Sequence, residues 1–246
     1  MDALQDKVAL VTGGGRGIGA AIARRLAREG ADVAVTYHRD AKAAGEVVAG
    51  IEEANRTGLA IAADSADPRA IFDAVDLAAD ELGRLDILVN NAGIYPFGPL
   101  ADVTLDELDH ALAVHVRAVF LASQAAAARM VDGGRIISIG SCFAERVPYP
   151  GISLYTMTKS ALLGLTKGLA RDLGDRGITA TVVHPGNIDT DMNPADGPEA
   201  AAEHAYIALG RYGRTDDIAA MVAHLAGDGG RYVTGTAITV DGGYAA

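Results

Sequence analysis

Short runs of branched apolar residues alternate with longer segments in which alanine and leucine recur at helical spacing, and this alternation restricts the chain to few folds. Residues 7–12, KVALVT, read as a strand that is apolar along most of its length. Residues 17–30, GIGAAIARRLAREG, set Ile18, Ile22 and Leu26 on one stripe, with Arg24, Arg25 and Arg28 elsewhere and Gly30 placed to end a helix. The pattern recurs, with strands expected at 32–37, 59–64, 85–90, 135–140, 179–184 and 237–240. Helices are expected near 41–54, 68–82, 104–130, 154–173 and 215–226. Strands that are apolar throughout imply a sheet buried on both faces, which means parallel strands covered by helices. The expected fold is therefore α/β, a single Rossmann-like, doubly wound domain over residues 1–246. The one long irregular stretch, 185–213, opens with Pro185-Gly186, and a lid is expected around 187–213.

Charge and cysteine content narrow the function. A net charge of −11 opposes any general affinity for nucleic acid or an anionic membrane surface. Cys142 is the only cysteine, so no internal disulfide forms, and no Cys/His cluster has metal-ligand spacing. The first ten residues lack the layout of a signal peptide, and no uninterrupted apolar run approaches the roughly 18 residues that span a bilayer. A soluble, cytoplasmic protein is the expectation.

The turn between the first strand and first helix, VTGGGRGIGAA, spaces Gly13, Gly17 and Gly19 as G-x-x-x-G-x-G. Missing Cβ atoms allow a tight turn whose backbone N–H groups approach a pyrophosphate at the positive end of a helix. The second strand ends Thr36-Tyr37-His38-Arg39, and its first acid is delayed to Asp40. Arg39, Arg16 and His38, with no carboxylate at the strand tip, point to NADPH over NADH, since a carboxylate there would repel a 2′-phosphate. Solvated arginines remain the alternative. Tyr155 and Lys159 lie four residues apart near the start of an expected helix, so both emerge on one face.

Taken together, TGGGRGIG (12–19), Asp64-Ser65, NNAG (90–93), Ser141, Tyr155 with Lys159, and PGNIDT (185–190) resemble the classical short-chain dehydrogenase/reductase family over essentially the full length. The likeness is greatest to bacterial 3-oxoacyl-carrier-protein reductases, and the tail PGNIDTDMNPADGP also resembles a subgroup labelled as cyclic-di-GMP-binding regulators. The resemblance implies that Gly13, Arg16, Gly17, Ile18 and Gly19 hold the cofactor phosphates and that Asp64 and Ser65 border the adenine. It implies further that Asn91, Ala92 and Gly93 line the ribose side, and that Pro185, Gly186, Ile188 and Thr190 hold the nicotinamide end. Tyr155 becomes the general acid of ketone reduction, Ser141 a donor to the substrate oxygen, and Lys159 a ligand of the nicotinamide ribose.

A free phenol has a pKa of about 10, and an ammonium nearby, helped by the positive nicotinamide of the oxidised cofactor, is expected to lower it. The family's asparagine on the long fourth helix aligns with His115, which either relays protons in its place or merely packs. Phe143, Tyr149, Tyr95 and Met192 are expected to line a pocket for a ketone with a hydrophobic body. The resemblance also implies a homotetramer, and the acidic balance argues against an acyl-carrier substrate. A nucleotide-binding regulator that kept the fold but not the catalysis is the competing reading.

Overall fold

The computed structural model describes residues 3–198 and 200–246. Strand β1 (Val8–Val11) is buried at every position and runs into the glycine turn, from which α1 (Gly17–Arg28) departs. There follow β2 (Asp32–Tyr37), α2 (Ala41–Glu52), β3 (Gly58–Ala62), α3 (Pro68–Glu81) and β4 (Leu85–Asn90). The second half holds α4 (Leu105–Leu112), α5 (Ala118–Arg129), β5 (Met130–Ile139), α6 (Ser153–Asp172) and β6 (Thr179–Pro185). Beyond it lie β7 (Ile188–Asp189), α7 (Ala200–His204), β8 (Gly213–Arg214), α8 (Thr215–Ala226) and β9 (Thr236–Val240). Seven strands form one parallel sheet in the order β3-β2-β1-β4-β5-β6-β9, the doubly wound topology that the alternation implied.

Two apolar clusters cover the sheet. Ile22 and Leu26 of α1, with Ile218 and Val222 of α8, pack on one face of β1, β2 and β4. Ile71 and Val75 of α3, with Ala122 and Ala126 of α5, pack on the other. Each fully buried Leu or Ile contributes about 2 kcal/mol, so the sheet is a stiff platform, and the carboxyl ends of its strands form a fixed rim.

Three features differ from the sequence expectation. The segment expected as one helix over 104–130 is interrupted by a π-helical turn, Ala113–Arg117, that joins α4 to α5. Strand β5 begins at Met130, five residues early, with an irregular register between Leu85 and Ile87 of its neighbour. The stretch expected as a lid is not structureless: β7 pairs in parallel with β8, and α7 lies between them. Glu199, within that stretch, lies outside the described residues. The segment Leu105–Arg129 is the only one among the described residues long and apolar enough to cross a bilayer, and 56% of its most apolar window is buried inside the fold.

Candidate active site

The glycine turn occupies the gap between β1 and α1 at the strand ends. Gly13 has φ +61, and a Cβ there would stand 2.8 Å from the Ala92 Cα, so only glycine lets the turn press against the end of β4. The turn is also tied there by hydrogen bonds. Thr12 Oγ1 accepts from the N–H groups of Asn91 (3.0 Å) and Ala92 (3.2 Å), and the Asn91 amide donates to the carbonyls of Thr12 (2.9 Å) and Gly13 (3.0 Å). The Gly13 N–H donates to Thr36 Oγ1 at 2.9 Å. Asn91, expected at the ribose, thus spends its side chain on fixing the turn. Thr12 and Thr36 are structural members of the site that motif reading passed over. Position 12 opens the quoted glycine motif, and a hydroxyl there was the available signal.

The amino end of α1 tests whether an anion fits. Helices α2, α3 and α4 are capped by the side chains of Asp40, Asp67 and Thr104. Helix α1 follows an extended Arg16 with no side-chain cap and no acid in its first turn. Its first N–H groups therefore lack the usual partner, and the glycine turn leaves no Cβ to cover them. Asp40, the first acid after β2, accepts from the Ala43 N–H at 2.9 Å and is committed to capping α2. These features suit a dinucleotide phosphate.

At the adenosine end, charged side chains pair within the chain. His38 Nε2 lies 3.6 Å from an Asp64 carboxylate oxygen, so the ends of β2 and β3 are linked whenever the imidazole is charged. The Arg16 guanidinium, expected at the phosphates, pairs with Asp191 of the lid. Thr190 and Asp191 border the open face of Gly17, within 4 Å of where its Cβ would be. Arg39 is exposed, and Ser65 lies beside Thr12 and Ala92. Ile18 packs against the first core cluster, and Gly19 begins the buried face of α1. Pro185 ends β6, the Gly186 N–H donates to the Val240 carbonyl at 3.0 Å, and Ile188 is buried against the first core cluster.

Ser141, Tyr155 and Lys159 converge at the carboxyl end of β5. Helix α6 buries Leu154, Thr158, Lys159, Leu162 and Thr166, a stripe at helical spacing that turns the Tyr155 and Lys159 face inward. Lys159 Nζ donates to the Ile139 carbonyl at 2.9 Å and stands 5.8 Å from the centre of the Tyr155 ring. Burial lowers the Lys159 ammonium from 10.5 to about 8. Ser141 is buried, and its Oγ accepts from the Phe143 N–H at 3.2 Å, so its own O–H is left free to donate. The Cβ position of Gly93 is 3.3 Å from His115 Nε2 and 3.6 Å from Lys159 Nζ, which brings the end of β4 into the same cluster.

In the chain by itself, desolvation governs the Tyr155 phenol. Burial raises the Tyr155 phenol above its ordinary value of 10, and the neighbouring Ser141 hydroxyl pulls it down only in part. The ammonium is engaged by the Ile139 carbonyl, and desolvation is the largest influence on the phenol. In the chain by itself Tyr155 is a well-protonated acid.

His115 is held from both sides. It sits in the π-helical turn, a local widening that recurs at functional sites. Nε2 accepts from the Ile94 N–H at 2.9 Å, so the proton resides on Nδ1, which meets Thr158 Oγ1 at 2.8 Å. Thr158 in turn donates to the Tyr155 carbonyl at 2.8 Å. Both ring nitrogens are engaged in a brace between the loop after β4 and the turn carrying Tyr155. Burial, then the Lys159 charge, holds the imidazole down to about 3. A neutral imidazole with no free nitrogen fits bracing better than proton transfer.

The walls are aromatic. Tyr95 meets Tyr155 edge-on at 5.0 Å, and Phe143 meets both Tyr155 (6.2 Å) and Tyr149 (5.7 Å) in the same way. The hydroxyls of Tyr95 and Tyr149 are 3.3 Å apart, joining the loops after β4 and β5, and Phe97 and Met192 are exposed at the rim. Cys142 is buried, and desolvation pushes its thiol up to about 12, which keeps it protonated and unreactive.

Comparison with known proteins gives matches along the whole chain. The profile of the enoyl-(acyl carrier protein) reductase family matches residues 13–245. The cyclic-di-GMP-binding biofilm dispersal mediator protein of Escherichia coli K12 is 45% identical over the full length of both chains. Versicolorin reductase of Emericella nidulans is 39% identical over 98% of this chain and 96% of its own. A short-chain dehydrogenase of Burkholderia cenocepacia, solved in complex with NADP, is 60% identical over 99% of each chain and superimposes with a TM-score of 0.97.

Proposed function

Since the chain belongs to the short-chain dehydrogenase/reductase family of oxidoreductases, we propose that it is an NADPH-dependent carbonyl reductase acting on ketones with an apolar, ring-bearing body. The observation that carries the reading is the convergence of Ser141, Tyr155 and Lys159 beside a glycine turn with an uncapped helix end. Residues 13–19 would hold the phosphates, with Arg16, His38 and Arg39 toward a 2′-phosphate and Asp64 and Ser65 toward the adenine. Asn91, Ala92 and Gly93 would lie along the ribose, and Pro185, Gly186, Ile188 and Thr190 along the nicotinamide. Bound there, the cofactor supplies the hydride.

The residues of the chain handle the proton and the charge. Reduction builds negative charge on the carbonyl oxygen; the Ser141 O–H donates a hydrogen bond to it and the Tyr155 O–H gives it a proton, leaving a secondary alcohol. Tyr155 is then left as tyrosinate, which the Lys159 ammonium stabilises before the proton is regained. Burial keeps the free Tyr155 phenol protonated near neutral pH, so the proton that reduction needs is in place. The exposed apolar face of α4 and α5, with Leu105 and Phe120 beside Leu112 and Val116, supports assembly into a homotetramer.

The likeness to the dispersal mediator protein favours a second reading, a regulator that binds a cyclic dinucleotide through Arg16 and Arg39. One experiment separates the two. Aryl, cycloalkyl and straight-chain ketones and diketones are offered with NADPH and with NADH, following cofactor absorbance, alongside calorimetric titration with cyclic di-GMP. Turnover of ring-bearing ketones with at least tenfold preference for NADPH supports the reductase. No turnover across the panel together with micromolar dinucleotide binding would establish the regulator instead.

A further inference from the structure

His184, the penultimate residue of β6, has no exposed surface and stood outside the sequence motifs. Its Nδ1 accepts a hydrogen bond from the backbone N–H of Ser141 at 3.0 Å, which places the ring proton on Nε2. The contact occurs where the β5–β6 ladder ends. Ile139 pairs with Val183, and the Gly140 N–H donates to the Val183 carbonyl at 2.7 Å. At Ser141 the chain leaves the sheet to enter the short turn Cys142–Ala144, so its N–H has no strand partner. Buried and unpaired, that donor would be costly, and the imidazole supplies the acceptor that the ladder no longer can. Room for the ring comes from the neighbouring residue: a Cβ on Gly140 would lie 2.2 Å from the His184 Nδ1. The ring is held on one side only, because Nε2–H has no hydrogen-bond partner among the described residues and its nearest carboxylate, Glu145, is 3.8 Å away.

We propose that His184 is a positioning residue for Ser141, its neutral imidazole fixing the serine backbone so that the hydroxyl points at the substrate carbonyl oxygen. Ser141 is then anchored twice, by its N–H on His184 and by its Oγ lone pair on the Phe143 N–H, with its O–H as the remaining free donor. The proposal rests on the reductase reading of Ser141. It carries a pH dependence, because a protonated His184 would turn an N–H toward the Ser141 N–H, and two donors cannot bond. Glu145 from the turn after β5 favours that protonation. Lys159 from α6 opposes it, as does burial, the largest influence, while Gly140 and Ser141 just after β5 and Thr239, its partner on β9, are uncharged. The imidazole is thereby held below 6.5, and the serine loses its anchor only on acidification.

The test compares His184→Leu, His184→Asn and wild type with NADPH and the ketone that the wild type turns over fastest. Leucine removes the acceptor, whereas the asparagine Oδ1 takes the place of Nδ1 and does not titrate. His184→Leu should lower kcat about tenfold or more with KM for NADPH within twofold. His184→Asn should recover to within about threefold of wild type and hold its kcat on acidification below pH 6.5, where the wild-type value falls. In a Ser141→Ala background, His184→Leu should change kcat by less than twofold, since its route of action is already gone. A folded His184→Leu with wild-type kcat, or an additive loss on top of Ser141→Ala, overturns the proposal. Should the leucine variant not fold, an acid limb in His184→Asn identical to wild type overturns it equally. Absence of turnover in wild type and all variants would instead sink the reductase reading, and this proposal with it.

Discussion

Ser141, Tyr155 and Lys159 sit on the ends of β5 and the first turns of α6, whereas the described residues of 187–213 hold a short helix and the two-residue β7, paired with β8. Apart from the Lys159 ammonium on the Ile139 carbonyl, the floor is held by hydrogen bonds between uncharged groups: His115 to Ile94 and Thr158, Thr158 to the Tyr155 carbonyl, His184 to Ser141. The rim is held by charges, in part exposed. Arg16 pairs with Asp191, each more than half exposed, and the Glu203 carboxylate of α7 accepts from Asn187 at 2.7 Å and from the buried Tyr244 hydroxyl at 3.0 Å. Neutral bonds in a desolvated site fix geometry to fractions of an ångström, while solvent-screened pairs contribute little and exchange readily. A site that must align a hydride donor and also admit a substrate needs both kinds.

Substitutions should separate floor from rim by the size and type of their effect. The largest is expected for Tyr155→Phe, which removes only the acid. Its kcat should fall by about 10²–10⁴ while NADPH affinity, read by cofactor fluorescence, stays within about threefold. Retained turnover would show that the floor does not carry the proton.

His115→Leu should destabilise the fold by about 2–4 kcal/mol, since it orphans the Ile94 N–H and frees Thr158. A pH signature accompanies it. The His115 pKa is about 3 folded against 6.5 as the ordinary value, so between these limits the unfolded chain binds the extra proton. The stabilisation is complete above pH 6.5 and is lost on acidification toward 3, with a slope of at most about 1.4 kcal/mol per pH unit. Urea unfolding across this range should show the slope in wild type and a shallower one in His115→Leu. Equal slopes would remove the brace.

At the rim the effects should be smaller and should appear in binding. Glu203→Gln weakens the tie between α7, Asn187 and Tyr244, and KM for the ketone should rise about three- to tenfold with kcat nearly unchanged, equivalent to about 1 kcal/mol. Smallest of all, Asp191→Asn releases Arg16. KM for NADPH should fall about two- to fivefold, with little change for NADH and a melting temperature within a few degrees of wild type. A kcat loss in either variant would mean that the rim also sets the alignment of the floor.

The alternation of apolar runs was enough to read the order and type of every major element, because period and run length are local properties of the chain. It was not enough to place the π-helical turn at 113–117, since the residues around it keep ordinary helical periodicity and the widening accompanies the packing of His115 on Ile94 and Thr158. The four-residue spacing of Tyr155 and Lys159 likewise fixed their shared face. Spacing carries no information on desolvation, however, so the burial that raises the phenol in the free chain was not legible. Asn91 was legible as a motif position but not as the clamp on the glycine turn, because its partners Thr12 and Gly13 are nearly 80 residues away in the chain.

What the sequence determined by itself is thus the doubly wound sheet, the glycine turn, a serine at a strand end and a tyrosine and a lysine on one helix face. Only the tertiary structure decided which groups are dry, which are charged and which nitrogen of each histidine bears a proton. Periodicity acts over a few residues, whereas solvation and hydrogen bonding depend on neighbours brought together from 20 to 80 positions apart, as Lys159 is to Ile139 and Ser141 to His184.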